Sequence, residues 1–438
     1  MNRLLRCCLA LLLIGATSAF AATAPSDTDV QRGEYLARAA DCISCHTRAG
    51  GLPFAGGLAM ATPFGTIVST NITPDRTSGI GNYSAEEFSR ALRQGRAKDG
   101  HYLYPAMPYV QFTRMTDADV LDLYAYFMKA VKPEQQDNVV TRLAWPFSMR
   151  GLMALWNMVN LQDRRFAPVL SASAEWNRGA YLVQGLSHCS ACHTPRNFIG
   201  AEKASSEKDG AHFLAGASID GWYALPLREL DETTQAGLAS WSQAALVQYL
   251  HTGRNAQTAA FGAMAGVVSQ STQYLTLPDA NAIAVYLKSL GASEAGGSKP
   301  VAPDPQDPTT LALRQGDMTK LASRRGALIY LNNCSACHRS DGQGAGRTFP
   351  TLSHSSAVAA GDTTSLVRIV LQGSAMPYTV TAPSELGMPP FGWRLSNTDI
   401  ADVLSFVRSS WGNNADAVTA QSVAQVRSAS KVIQATDR

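Results

Sequence analysis

The sequence has no cysteine to spare, little charge and no long apolar run. Of its eight cysteines, Cys7 and Cys8 sit at the extreme N-terminus and the other six fall inside three copies of one short pattern. None is left over for a structural disulfide. Charged residues make up only 16% of the 438, with 37 Lys and Arg against 34 Asp and Glu. That balance gives no sign of the basic excess on which nucleic-acid binding rests, so no nucleic-acid partner is expected. Past the N-terminus no stretch reaches the roughly 18 consecutive apolar residues of a membrane span, so no spanning helix is predicted.

The first residues read as an export signal. Arg3 and Arg6 precede an apolar stretch from Cys7 to Ala16 that is too short to cross a bilayer, and Ala19-Phe20-Ala21 supplies a small-x-small cleavage site. The expected signal peptide is 1–21. Leu5 and Arg6, the residues before Cys7, do not form a lipobox, so a lipid anchor there is not expected. Without Arg3 and Arg6 the basic count is 35 against 34 acids, nearly neutral. With 45% hydrophobic residues, the remaining chain is long enough to bury several cores.

The six remaining cysteines lie in "DCISCHTR", "HCSACHTPR" and "NCSACHRS", each a Cys-x-x-Cys-His: Cys42, Cys45 and His46; Cys189, Cys192 and His193; Cys334, Cys337 and His338. This is the attachment signal of c-type haem. Two thiols add to the two vinyl groups of one porphyrin edge, and the adjacent imidazole reaches the iron as proximal ligand. A structural zinc would need a second ligand pair nearby, and the copies stand far apart. A thioredoxin-like pair would need a βαβ setting, for which there is no pattern. The expected cofactors are three covalent c-type haems.

An internal repeat surrounds the motifs. Upstream run "RGEYLARAADCISCH" from Arg32, "RGAYLVQGLSHCSACH" from Arg178 and "RGALIYLNNCSACH" from Arg325. Downstream come middle helices from Ser84, Ser242 and Thr364, each ending near a glycine. Ser84 with Glu87 makes a capping box, and Tyr83 with Phe88, like Trp241 with Leu246, a staple. Closing helices start at Thr116, Leu277 and Ser396; Val120, Leu121, Tyr124 and Phe127 give the first an apolar face. The order helix, haem motif, helix, methionine loop, helix resembles the cytochrome c fold, so the predicted class is all-α, three tandem cytochrome c domains at 27–135, 171–292 and 319–412.

A haem that only carries electrons has both axial positions filled, and a thioether suits the second. Repeat spacing selects Met107 in "LYPAMPY" over Met60, Met115 and Met128. Met264 stands alone in the second copy. In the third, Met376 and Met388 compete, and the spacing from Gly373 and to the closing helix selects Met388 in "LGMPPFGW". His101, His188, His212, His251 and His354 hold no equivalent positions.

Between the first two domains, 136–170 is expected to be an amphipathic linker. Trp145, Phe147, Leu152, Leu155, Trp156 and Val159 suit a membrane interface or, in the alternative, packing between the haem domains or under a partner subunit. A Gly/Pro linker at 293–318 is expected to be extended and exposed, and 413–438 to be a polar tail, either disordered or lying against the domains.

Long blocks carry a resemblance: "PFAGGLAMATPFGTIVSTNITPD", "WPFSMR", "HCSACHTPR", "IDGWYA", "STQYLTLPDANAIAVYLKSL" and "MPPFGWRLSNTDIADVLSFVRSSWG". Over nearly its whole length the chain resembles the tri-haem cytochrome c subunits of membrane-associated bacterial dehydrogenases acting on alcohols, gluconate, sorbitol or aldehydes. The resemblance implies a periplasmic subunit at the inner-membrane surface. It would take electrons from a catalytic subunit carrying FAD, PQQ or molybdopterin and pass them to ubiquinone. Residue by residue, it implies the same axial pairs: His46 with Met107, His193 with Met264 and His338 with Met388. Substrate chemistry would belong to the partner. The alternatives are a multi-haem peroxidase with an open iron position and a free periplasmic carrier.

Overall fold

The computed structural model describes residues 26–228, 237–238, 241–291, 304–317, 319, 321 and 324–436. The expected signal peptide and the first part of the 293–318 linker lie outside them. The longer helices are α1 (Asp27–Ala39), α2 (Ala85–Gln94), α3 (Asp117–Lys129), α4 (Leu152–Asn160), α5 (Ala174–Tyr181), α6 (Gln243–Thr252), α7 (Ala263–Gln270), α8 (Leu277–Lys288), α9 (Pro308–Gln315), α10 (Arg324–Asn333), α11 (Thr364–Gln372), α12 (Asn397–Arg408) and α13 (Ala420–Thr436). The helical class holds, with small sheets added. Strands β1 (Ala59–Thr62), β2 (Gly65–Val68) and β3 (Arg142–Leu143) form one antiparallel sheet; β4 (Ala217–Ile219) pairs β5 (Trp222–Ala224), and β6 (Ser374–Ala375) pairs β7 (Gly387–Met388).

Three helix pairs organise the chain, α1 with α3, α5 with α8 and α10 with α12. Each is pinned by the Arg of the Arg-Gly repeat and the Asp three residues into the closing helix. Arg32 pairs with Asp119 and Asp122. Arg178 makes a two-pronged contact with Asp279, at 2.7 Å on both prongs. Arg325 reaches Asp399 at 2.7 Å and Asp402 at 3.1 Å. In the first two pairs the glycine beside the arginine lets the helices touch. A Cβ on Gly179 would fall 2.6 Å from the Ala282 carbonyl carbon and 2.8 Å from Tyr286 Cβ, and Gly33 is equally crowded by Asp122 and Tyr126. Thr116, Thr276 and Ser396 cap the closing helices through their side-chain oxygens. The capping box expected at Ser84 and Glu87 is present.

The spacing between the repeat arginine and the first motif cysteine differs among copies, and the backbone absorbs the difference. In the second copy, which is one residue longer than the first, Leu182–Leu186 widens into a π turn directly after α5. Such a turn takes in one extra residue without breaking the helix.

The first and second segments share one apolar core, whose buried members run from Leu36 and Phe127 to Leu182 and Tyr286; the third has its own, around Tyr330, Phe406 and Trp411. The contact between the first two is reciprocal. Tyr35 donates to Asp279 and Tyr181 to Asp119, so each segment's repeat tyrosine reaches the other's closing helix. Leu328 holds that position in the third segment and lies 40% exposed.

One expectation is corrected, and between two alternatives for the tail the structure chooses one. Within the 293–318 linker, residues 308–315 form a helix, because Asp307 caps it, Pro308 opens it and Ala312 and Leu313 are buried. Within the 413–438 tail, α13 is helical and packs on α11 and α12, with Val423 in the helix and Val418 just before it as buried anchors. Val426 packs on the same core, and Arg427 donates to Asn397 Oδ1 and to the carbonyls of Gly392 and Leu395, so apolar and polar contacts together dock a segment of polar composition.

Candidate haem-attachment and axial-ligand sites

Each Cys-x-x-Cys-His forms one short helical turn, Cys42–Cys45, Ser190–His193 and Ser335–His338. The six cysteines are free of disulfides and half-buried. Burial pushes five of the thiols up, to about 12 for Cys42, Cys189 and Cys334 and about 11 for Cys45 and Cys192. They are therefore thiols at neutral pH, the form that adds across a vinyl group with its own proton.

The three histidines share one geometry. His46 Nδ1 lies 2.7 Å from the Thr70 carbonyl oxygen, His193 Nδ1 2.6 Å from that of Leu225, and His338 Nδ1 2.9 Å from that of Pro350. A carbonyl only accepts, so Nδ1 carries the proton and Nε2 presents its lone pair to a metal. Burial pushes all three imidazoles below the ordinary histidine range, which keeps them neutral. The histidine main chain is gripped as well. Its carbonyl accepts from the N–H of Gly56 (2.7 Å), Gly216 (2.8 Å) and Gly344 (3.2 Å) respectively.

Those glycines have a steric reason. All three have left-handed φ, of 74°, 86° and 62°. A Cβ on Gly56 would sit 2.6 Å from the Thr70 oxygen, and one on Gly344 2.6 Å from the Pro350 oxygen. These are the acceptors of the two Nδ1 protons. One on Gly216 would sit 3.1 Å from the Ala224 oxygen and from Pro226 Cδ, the neighbours of Leu225. Each loop thus holds one histidine at two points, and only glycine allows the two strands of the loop so close. Sequence reasoning missed the acceptors because they are main-chain atoms; the glycines were the available signal.

The residues fit a haem. A neutral imidazole aims one nitrogen beside two unpaired thiols, and among the described residues no three His, Cys, Asp or Glu side chains converge as a metal cage. The second ligand pair of a structural zinc is therefore missing among them.

The methionines selected by spacing are all half-buried. Met107 lies in the turn before Tyr109, where two apolar clusters meet. Met264 stands in the first turn of α7, not in a loop. Met388 is the last residue of β7, opposite Ser374. The sulfur of Met376 is engaged elsewhere, accepting from Arg254 Nη1 at 3.7 Å. Met115 is fully buried. Of the histidines without equivalents, His188 Nε2 is 3.1 Å from the Ala40 carbonyl, His251 Nε2 is 3.0 Å from that of Leu275, and His101 pairs with Asp99.

The Cytochrome c family profile matches residues 30–130 and 323–411. Across 426 residues the chain is 48% identical to the gluconate 2-dehydrogenase cytochrome c subunit of Pantoea cypripedii, covering 95% of this chain and 94% of that protein. The chain belongs to the family of dehydrogenase cytochrome c subunits. It is also 44% identical to the cytochrome c subunit of the alcohol dehydrogenase (quinone) of Gluconacetobacter polyoxogenes, over 94% of this chain and 87% of the relative. Against the fructose dehydrogenase cytochrome subunit of Gluconobacter japonicus the identity is 38%, over 97% and 88%. A cytochrome subunit of this family carries covalent c-type haem and transfers electrons. The profile leaves the second segment of the cytochrome subunit unmatched, although His193 there has the same two-point hold as His46 and His338.

The linker of the cytochrome subunit divides by face. Trp156 turns inward, 8% exposed, against Tyr109, and its Nε1 donates to the Ile199 carbonyl. Trp145, Met149, Leu155, Met158 and Val159 turn outward, between 51% and 80% exposed. Among the described residues no helix is long and apolar enough to cross a membrane.

Proposed function

We propose that this cytochrome subunit holds three covalent c-type haems in three tandem domains, with axial pairs His46 and Met107, His193 and Met264, and His338 and Met388. In this reading it passes electrons from a catalytic dehydrogenase subunit, of the flavin-dependent gluconate or sorbitol type or the quinoprotein alcohol type, to ubiquinone. It does so at the periplasmic face of the inner membrane. The observation that carries the reading is the threefold hold on histidine. Each imidazole is fixed in one tautomer by a main-chain carbonyl and in position by a glycine N–H.

Bound haem supplies the exchange of one electron between ferric and ferrous iron. The protein keeps each imidazole from rotating or protonating, so little rearrangement accompanies the change of charge. It also offers a thioether, which favours the ferrous form and raises the potential. The outward apolar face of α4 and residues 145–149 supports seating on a membrane, because an amphipathic segment in a lipid interface buries such a face.

The test is a haem count and a ligand count on the purified full chain. Three covalent haems per chain are expected, all low-spin, inert to carbon monoxide, and oxidised by a ubiquinone analogue after reduction by the dehydrogenase. Two haems per chain would refute the count. One equivalent of bound carbon monoxide per chain would favour the peroxidase, and isolation as a monomer without a dehydrogenase the free carrier.

A further inference from the structure

We propose that Arg254, a residue of the second segment, is a positioning residue for the third haem site: it clamps the hairpin that carries Met388 and parks the rival sulfur of Met376. The proposal rests on the reading of Met388 as axial ligand. Arg254 follows Gly253, which closes α6 in the left-handed conformation, and is 6% exposed. Its Nη2 donates to the Ala382 carbonyl at 2.8 Å and to that of Ser384 at 3.1 Å, while Nη1 lies 3.7 Å from Met376 Sδ. All three acceptors belong to the segment that joins β6 to β7.

Other contacts dock the same hairpin on the second segment. A Cβ on Gly253 would lie 2.9 Å from Pro377 Cδ and overlap Cγ, so Pro377 rests directly on the end of α6. Gln273 Oε1 accepts from the Val380 N–H at 3.0 Å. At its base the hairpin is two pairs long, Ser374 opposite Met388 and Ala375 opposite Gly387. So short a ladder gives little stiffness of its own, and the position of Met388 then depends on what holds the rest. A planar guanidinium with a fixed fork suits that task better than a flexible ammonium.

Comparison with the first segment separates this use from a feature of the repeat. Arg96 follows Gly95 just as Arg254 follows Gly253, but it is exposed, lies over the Tyr102 ring and reaches only the nearby Gly100 carbonyl. In the second segment the same position reaches 122 to 130 residues along the chain. A thioether is a weak hydrogen-bond acceptor and a soft metal ligand, so a sulfur facing a guanidinium is held away from competition for iron.

The experiment uses the full-length holoprotein and the thioether-to-ferric-iron charge-transfer absorption, together with redox titration and carbon monoxide binding. Met388→Leu is expected to remove about one third of that absorption and to open one iron to carbon monoxide, Met376→Leu to remove none. Arg254→Gln is expected to lower the same third and to shift the potential of that one haem, and Arg254→Lys to restore only part. Should Arg254→Gln fold with absorption and all three potentials unchanged, the clamp is overturned while the ligand reading stands. Should Met376→Leu, and not Met388→Leu, remove the absorption, the ligand reading fails and the clamp with it. An Arg254→Gln chain that does not fold leaves Arg254→Lys to decide, since an unchanged spectrum and potential there overturn the demand for a fork.

Discussion

Replacing Gly179 by alanine sets two effects of opposite sign against each other. Intrinsic propensity favours alanine over glycine inside a helix by about 1 kcal/mol. Packing opposes it, because the new Cβ would fall 2.6 Å from the Ala282 carbonyl carbon and 2.8 Å from Tyr286 Cβ, inside the 3.0 Å that such atoms keep. Neither neighbour is the end of a flexible side chain. To make room α8 must retreat by several tenths of an ångström, against Arg178 and Asp279 at 2.7 Å and a core that includes Tyr286. Overpacking of this kind costs about 1–3 kcal/mol, and backbone contact puts it at the upper end. The net expectation is a loss of about 1–2 kcal/mol. Gly266, in α7, where an added Cβ would meet nothing within 4 Å, is the control and should gain up to about 1 kcal/mol on the same substitution. Urea denaturation of both holoproteins measures the pair. If Gly179→Ala proves as stable as the parent, or gains as Gly266→Ala does, close helix contact is not the reason for this glycine.

Three further expectations follow from the same contacts. Tyr35→Phe and Tyr181→Phe each remove a hydrogen bond to a carboxylate across the contact between the first two segments and should cost about 1.5–3 kcal/mol each; an unchanged denaturation midpoint in the double variant would refute that contribution. The Arg325 guanidinium, with Ser396, pulls Asp399 from 3.8 to about 2, so its contribution is full above pH 4 and fades as the pH falls towards 2. As Arg325 is exposed to solvent, the gain is small, and an acid titration of Asp399→Asn should show a flatter stability profile there. Changing Leu155, Met158 and Val159 to serine should abolish binding to anionic vesicles while altering stability by less than about 0.5 kcal/mol per site; vesicle binding at parental strength would remove α4 from the membrane face.

What the residues revealed beforehand depended on where each interaction stores its information. Closing helices were legible because they repeat three times and the first spaces Val120, Leu121, Tyr124 and Phe127 along one face, and the ends of α2 and α6 because Gly95 and Gly253 suit the left-handed φ found there. The acceptors at Thr70, Leu225 and Pro350 were not, since a main-chain carbonyl leaves no mark on residue identity. The helix α9 rests on a few apolar side chains in polar surroundings, too weak a pattern to outweigh composition, and α13 is held in part by Arg427 on main-chain carbonyls, which leave no mark in the sequence either. Trp156 pointing inward while Leu155 points outward is set by tertiary contact with Tyr109, which local periodicity does not encode.

The exchange of Tyr35 and Tyr181 between the first two segments has the logic of a symmetric dimer, in which one patch meets a copy of itself. Two separate chains would find that partner only at sufficient concentration and would part on dilution. Joined in one polypeptide, the halves meet at a local concentration set by the tether, which no dilution lowers. Leu328 marks the third copy as the one that never entered this arrangement, and it remains attached by other means.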